Sequence, residues 1–155
     1  MKIRLILLMI ISAQVVANAS TLPEIRSLYR KAAGQEKSCR ILTELQIPDK
    51  GENISELIGY KAAATMVMAK YVLNPISKIN YFRKGKNMLE KAVRNDTKNV
   101  ELRFLRFTIQ TNAPSFLGYN NSIKTDQQFL TVSLPYINDL ALKNMITRYL
   151  SDLKA

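Results

Sequence analysis

The segment richest in potential chemistry is Glu101-Leu-Arg-Phe-Leu-Arg-Phe107. On a helix, the spacing of Arg103 and Arg106 puts both guanidinium groups on one face, and Gln110 continues that face. The loop that follows adds Phe116, Tyr119, Asn120 and Asn121. Two arginines beside aromatic side chains suit a carboxylate or phosphate gripped bidentately. The pattern suits packing equally: Arg103 would pair with Glu90 or Asp126 while the phenylalanines enter the core, since arginine stems cover apolar helix surface. Arg103, Arg106, Gln110, Phe116, Tyr119 and Asn120 form the first candidate set for binding a ligand or partner.

A second set is Lys78, Arg83, Lys84 and Lys86, interleaved with Tyr81 and Phe82. Basic residues among aromatics suit an anionic membrane surface or polymer, and are also ordinary on an exposed turn. The chemistry that is missing is as informative. The chain has no histidine, which removes Ser-His-Asp and Cys-His catalysis and histidine–metal sites. A single cysteine, Cys39, allows neither an internal disulfide nor a thiolate zinc site. It is either a buried small hydrophobe or a thiol that pairs with another chain. The five glycines stand apart, so no phosphate-cradling loop is present, and the acids follow no calcium-loop pattern. The expectation is a non-enzymatic protein with no catalytic, cofactor-binding or metal-binding residues.

The elements that must position these residues read as helices. Pro23, Pro48, Pro75, Pro114 and Pro135 punctuate the chain, and the stretches between them carry helical rather than strand periodicity. Thr21-Leu-Pro-Glu24 predicts a capping box, with a helix that ends near Gly34. A second helix is expected over Glu36 to Leu45, a third over Ser55 to Leu73, and a fourth from the Asn74-Pro75 cap to Arg94 with a bend around Asn80 to Gly85. Val100 to Gln110, Ser122 to Leu134 and Asn138 to Leu153 complete seven helices, with one long irregular loop over Thr111 to Asn121. The fold class is therefore all-α, in antiparallel pairs. Met66, Met68, Met88 and Met145 read as gap-filling core.

Residues 1–19 read as a cleaved signal peptide. Lys2 and Arg4 give a positive start, Leu5 to Ala17 is largely apolar, and Ala17-Asn-Ala19 supplies the small residues that signal peptidase accepts. The apolar stretch falls short of the about 20 residues a spanning helix needs. Export to the periplasm or beyond is expected, with residues 20–155 as a single domain and no transmembrane span after cleavage. The formal net charge is +11, or +9 once Lys2 and Arg4 are removed. That excess favours anionic lipid or polymer, or solvated helix faces, and nucleic acid is not an expected partner.

The spacing of large and small residues also resembles the tetratricopeptide repeat, a helix pair of about 34 residues. A first unit places Leu22, Ile25, Tyr29 and Leu42 at the family's large positions, but puts Arg26 where a small residue belongs. A second places Tyr60, Ala63, Ala64 and Val67 on one helix and Gly85, Leu89 and Ala92 on the next, and a third keeps Phe104 and Phe107. The resemblance covers most of residues 21–134. It implies a right-handed array of stacked helix pairs whose groove takes a protein or peptide partner, an irregular helical bundle being the other arrangement of the same stripes. The chain is also similar to small exported bacterial proteins that carry an Arg-Phe-Leu-Arg-Phe segment followed by a Pro/Gly loop, a likeness that implies no activity.

Overall fold

The computed structural model describes residues 21–153, so the expected signal peptide lies outside the described residues. Seven helices follow one another: α1 (Leu22–Ala32), α2 (Glu36–Thr43), α3 (Ile54–Met68), α4 (Pro75–Asn95), α5 (Val100–Asn112), α6 (Ile123–Ser133) and α7 (Leu140–Asp152). Short 3-10 turns cover Ser115–Leu117 and Leu134–Tyr136, and no strand occurs among the described residues. The protein is all-α, with neighbouring helices closely packed.

Local chemistry sets most of the boundaries. Thr21 N–H donates to the Glu24 carboxylate at 2.8 Å at the start of α1. Asn74 Oδ1 accepts from the N–H groups of Ile76 and Ser77 at 2.8 and 3.2 Å, and Pro75 takes the first helical position of α4, where no intrahelical bond is lost. Asn99 and Asp139 cap α5 and α7 in the same way. Two expectations shift. The third helix ends at Met68 rather than Leu73, continued only by tight turns that bond Lys70 and Tyr71 to residues three positions back. The stretch around Asn80 to Gly85, where a bend is expected, stays helical throughout, with α4 running unbroken to Asn95.

Gly85 serves a different purpose from breaking the helix. A Cβ placed on it would lie 2.5 Å from the Ala62 carbonyl oxygen and 2.8 Å from the Met66 nitrogen, so the α3 backbone passes directly over it. The small run Ala62-Ala63-Ala64, fully buried, permits that approach. α3 is consequently the central helix. It is flanked by α1, α2, α4 and α5, and its apolar residues face almost every direction.

Two apolar clusters result. The larger joins α1 to α5 through Ile25, Cys39, Leu42, Tyr60, Leu89, Leu102 and Leu105. Each fully buried leucine or isoleucine contributes about 1.5–3 kcal/mol relative to exposure. The smaller joins α5, α6 and α7 through Phe104, Phe107, Leu130, Leu142, Ile146 and Leu150. α5 belongs to both, and so joins the main body to α6 and α7.

Candidate functional site

The Arg103–Arg106–Gln110 face of α5 turns towards α4 and α6. Asp126 of α6 is fully buried between the two arginines. Its Oδ1 accepts from Arg103 Nε and from Arg106 Nη2 at 2.8 Å, and its Oδ2 from Arg106 Nε at 2.7 Å. Arg106 also reaches Glu90 of α4 at 3.1 Å, and the other Glu90 oxygen accepts from the Tyr119 hydroxyl at 2.6 Å. Arg103 stacks on Phe129, 4.3 Å from the ring centroid. Gln110 Oε1 accepts from Ser122 N–H at 3.1 Å. Burial works against the Arg106 charge, but the hydrogen bonds and charge of Asp126 raise its pKa further above the ordinary arginine value. Burial, then the bond to Glu90, likewise raises the Tyr119 hydroxyl.

Of the first candidate set, Arg103, Arg106, Gln110 and Tyr119 are thus brought together, with each other's neighbours as their partners. Asn120 is exposed beside them, and Phe116 points elsewhere. Of the two readings open for the arginines, packing within the helix layer accounts for every polar contact seen. The second set is dispersed. Along an unbroken helix, Lys78, Arg83, Lys84 and Lys86 project at about 100° per residue and share no single face. Lys86 lies 5.0 Å from the centroid of the Tyr119 ring, Lys84 projects from nearly the opposite side of the helix, and Lys78 lines the groove described below.

A second ion network, beneath the first helix, has no counterpart in the sequence reading. Arg26 of α1 is 5% exposed and Glu101 of α5 is 4% exposed. Arg26 Nε and Nη2 each donate to one Glu101 oxygen at 2.7 Å, and the Tyr60 hydroxyl donates to Glu101 Oε1 at 2.5 Å. Arg26 Nη1 donates to Asp139 Oδ2 at 2.7 Å, tying α1 to the start of α7. The Glu101 hydrogen bonds raise the Arg26 pKa, and burial followed by the Glu101 charge raises that of Tyr60. Among the described residues no buried side-chain nitrogen or oxygen lacks a partner. The position that broke the repeat pattern is filled by a satisfied charge.

A large groove lies on the other side of α5. A groove of about 1300 Å³, half open to solvent, is walled by α1, α3, α5 and α7, by the N-terminal turns of α4 and by the Pro114–Leu117 segment. Its α5 wall is Phe104, Thr108 and Asn112, spaced one turn apart and facing away from the arginines. Met66, Val67, Ile79, Phe82, Ile109 and Met145 make the floor apolar. The polar atoms of the floor bond to one another: Tyr29 Oη and Thr108 Oγ1 lie 2.8 Å apart, and Asn112 Nδ2 donates to Tyr149 Oη at 2.6 Å. Phe116 lines the groove while 84% exposed. Arg30, Lys70, Lys78 and Arg148 also line it, with Asp152 as the one carboxylate there.

Cys39 is fully buried and its thiol donates to the Ala64 carbonyl at 3.2 Å. Burial pushes the thiol up to about 11, with Arg40 pulling it partly back. Of its two readings, the small buried hydrophobe describes its place in the fold.

No protein-family model, curated protein or solved structure matches this chain, so the fold and the groove are what a functional reading has to work from. What sequence reasoning missed was the groove wall. Phe104, Thr108 and Asn112 recur at four-residue spacing, but the arginines one position away masked that stripe.

Proposed function

We propose that the protein is an exported, non-enzymatic binding protein that seats a peptide segment of a protein partner in the groove walled by α1, α3, α5 and α7. The observation that carries this reading is the groove: about 1300 Å³, half open, apolar at its floor, with Phe116 exposed at its edge. Small-molecule pockets usually hold about 300–1,000 Å³ and enclose their ligand, whereas a half-open trough of this size suits a helix or extended segment. An aromatic that is 84% exposed on the single chain also suits an anchor for a partner. The reading needs no tetratricopeptide ancestry.

The acids support a non-enzymatic role. Glu101 and Asp126, the buried carboxylates, are each clasped by arginine, and the groove holds only Asp152, so paired-carboxylate chemistry has no second member there. Binding to an anionic membrane or polymer surface has the net charge in its favour, +11 for the whole chain and +9 without Lys2 and Arg4. The divergence of Lys78, Arg83, Lys84 and Lys86 around α4 counts against it, because a flat surface needs one basic face.

Site-specific photocrosslinking tests the groove. A benzophenone side chain in place of Asn144, an exposed groove residue, should trap a partner protein, and the same group in place of Lys91 on the outer side of α4 should not. Phe116→Ser should remove the adduct. Equal adducts from both positions, or none from position 144, would refute the reading. Export is tested separately by sequencing the mature N-terminus, expected at Ser20.

A further inference from the structure

We infer that the groove's occupant is an acidic amphipathic helix, with its apolar stripe on the floor and its carboxylates meeting Arg30, Lys78 and Arg148. This rests on the peptide-groove reading above and names the chemistry of the peptide. Because Tyr29, Thr108, Asn112 and Tyr149 satisfy one another, the floor offers little to a polar ligand group, and the ligand face against it must be apolar. The rim has the opposite character. Arg30 and Arg148 are exposed and, among the described residues, join no ion pair within 4.0 Å. Lys78 makes only a 3.4 Å contact to the Ala69 carbonyl.

These three cations stand on three different helices, α1, α4 and α7, and are opposed in the groove by Asp152 alone. An occupant that meets all three must carry several acids along its flanks with an apolar stripe between, the pattern an amphipathic helix supplies. The apolar surface also extends past the groove, with Ile76 70% exposed one turn before Ile79. A long segment covers it better than a compact ligand does.

Three fluorescein-labelled peptides of about 18 residues, sharing one leucine face and carrying Glu, Gln or Lys on the flanks, provide the test by anisotropy with the mature protein. The Glu peptide should bind about tenfold more tightly than the Gln peptide, the Lys peptide should bind weakest, and the advantage should shrink as salt rises past about 0.5 M. Arg30→Glu/Arg148→Glu should reverse the order of the Glu and Lys peptides, and Asn144→Trp, which narrows the groove, should weaken all three. Both variants alter exposed positions, and a far-UV spectrum and melting midpoint matching the parent's separate lost binding from lost fold. Equal binding of the Glu and Gln peptides, still weakened by Asn144→Trp, overturns the acidic preference and leaves the groove reading standing. No peptide binding, or binding indifferent to Asn144→Trp, overturns both. Displacement of the bound Glu peptide by palmitate at lower concentration than by unlabelled peptide would assign the groove to an anionic amphiphile instead. Self-association abolished by Phe116→Ser would assign it to a second copy of the chain, and either result overturns the inference.

Discussion

Replacing Glu101 by Gln keeps the shape of the side chain and removes the charge on which Arg26 and Tyr60 converge. Arg26 would keep one bond, to the amide oxygen, and lose the other 2.7 Å bond, where the amide nitrogen would face a guanidinium donor. Breaking a buried ion pair by removing one partner costs about 3–5 kcal/mol, because the remaining charge stays out of water. Here the low end applies: Asp139 still accepts from Arg26 at 2.7 Å, and its side chain is 44% exposed, so some water reaches the guanidinium. The expected loss is about 3 kcal/mol. With a urea slope of about 1.5 kcal/mol per molar, the unfolding midpoint should fall by about 2 M, read by far-UV circular dichroism. The combined variant Arg26→Met/Glu101→Leu/Tyr60→Phe removes the three buried members and leaves only Asp139, whose side chain is 44% exposed and can turn to water. It should come within about 1 kcal/mol of the parent, since apolar residues of similar volume replace buried ion pairs at little cost. A loss under about 1 kcal/mol for Glu101→Gln, or a combined variant no more stable than the single one, would refute this account of the network.

Gly85→Ala should destabilise by about 3 kcal/mol, because its methyl meets α3 backbone, and Gly59→Ala by under about 1 kcal/mol, because its methyl meets the ends of Leu102 and Leu105; thermal melts compare the two. Cys39 should resist aromatic disulfide reagents at pH 8 in the native protein and react fully in denaturant. Its raised pKa means that the folded state favours the thiol. That stability is whole below the unfolded value of 9.0 and is lost as pH rises through about 11, so the Cys39→Ala melting midpoint should fall less over that range than the parent's. Asp139→Ala removes two cap bonds and the Arg26 pair, and should cost about 1–2 kcal/mol, with faster hydrogen exchange in α7 and unchanged exchange in α3. The Leu142 N–H bond, then Arg26, hold the Asp139 carboxyl below 3.8 against the effect of burial. Its contribution is therefore present above about pH 4 and lost as pH falls below it, and the variant's acid transition should be correspondingly shallower.

The helices were legible because their signals are local. Asn74-Pro75 and Thr21-Leu-Pro-Glu24 each satisfy backbone groups within one turn, and the structure places α4 and α1 directly after them. Gly85 was half legible, for a reason also rooted in distance along the chain: the repeat spacing gave it a small position on a packed helix without showing what packs there. Within its own segment a glycine signals a bend, and only the passage of Ala62 and Met66 over it shows that it serves contact. The arginine pair was half legible. Its spacing put Arg103 and Arg106 on one face, but what that face meets depends on Asp126, twenty or more residues later.

By itself the sequence determined an all-helical chain, its seven segments and the lack of histidine chemistry, because helix capping and 3.6-residue periodicity act within a few residues. Only the tertiary structure decided which face of α5 looks inward to Asp126 and which looks onto the groove. It alone brought Arg26 to Glu101 across 75 positions, and assembled the groove from helices that span nearly the whole described chain. A cavity belongs to no single helix: its walls come from α1, α3, α5 and α7, and its volume is what their packing leaves unfilled.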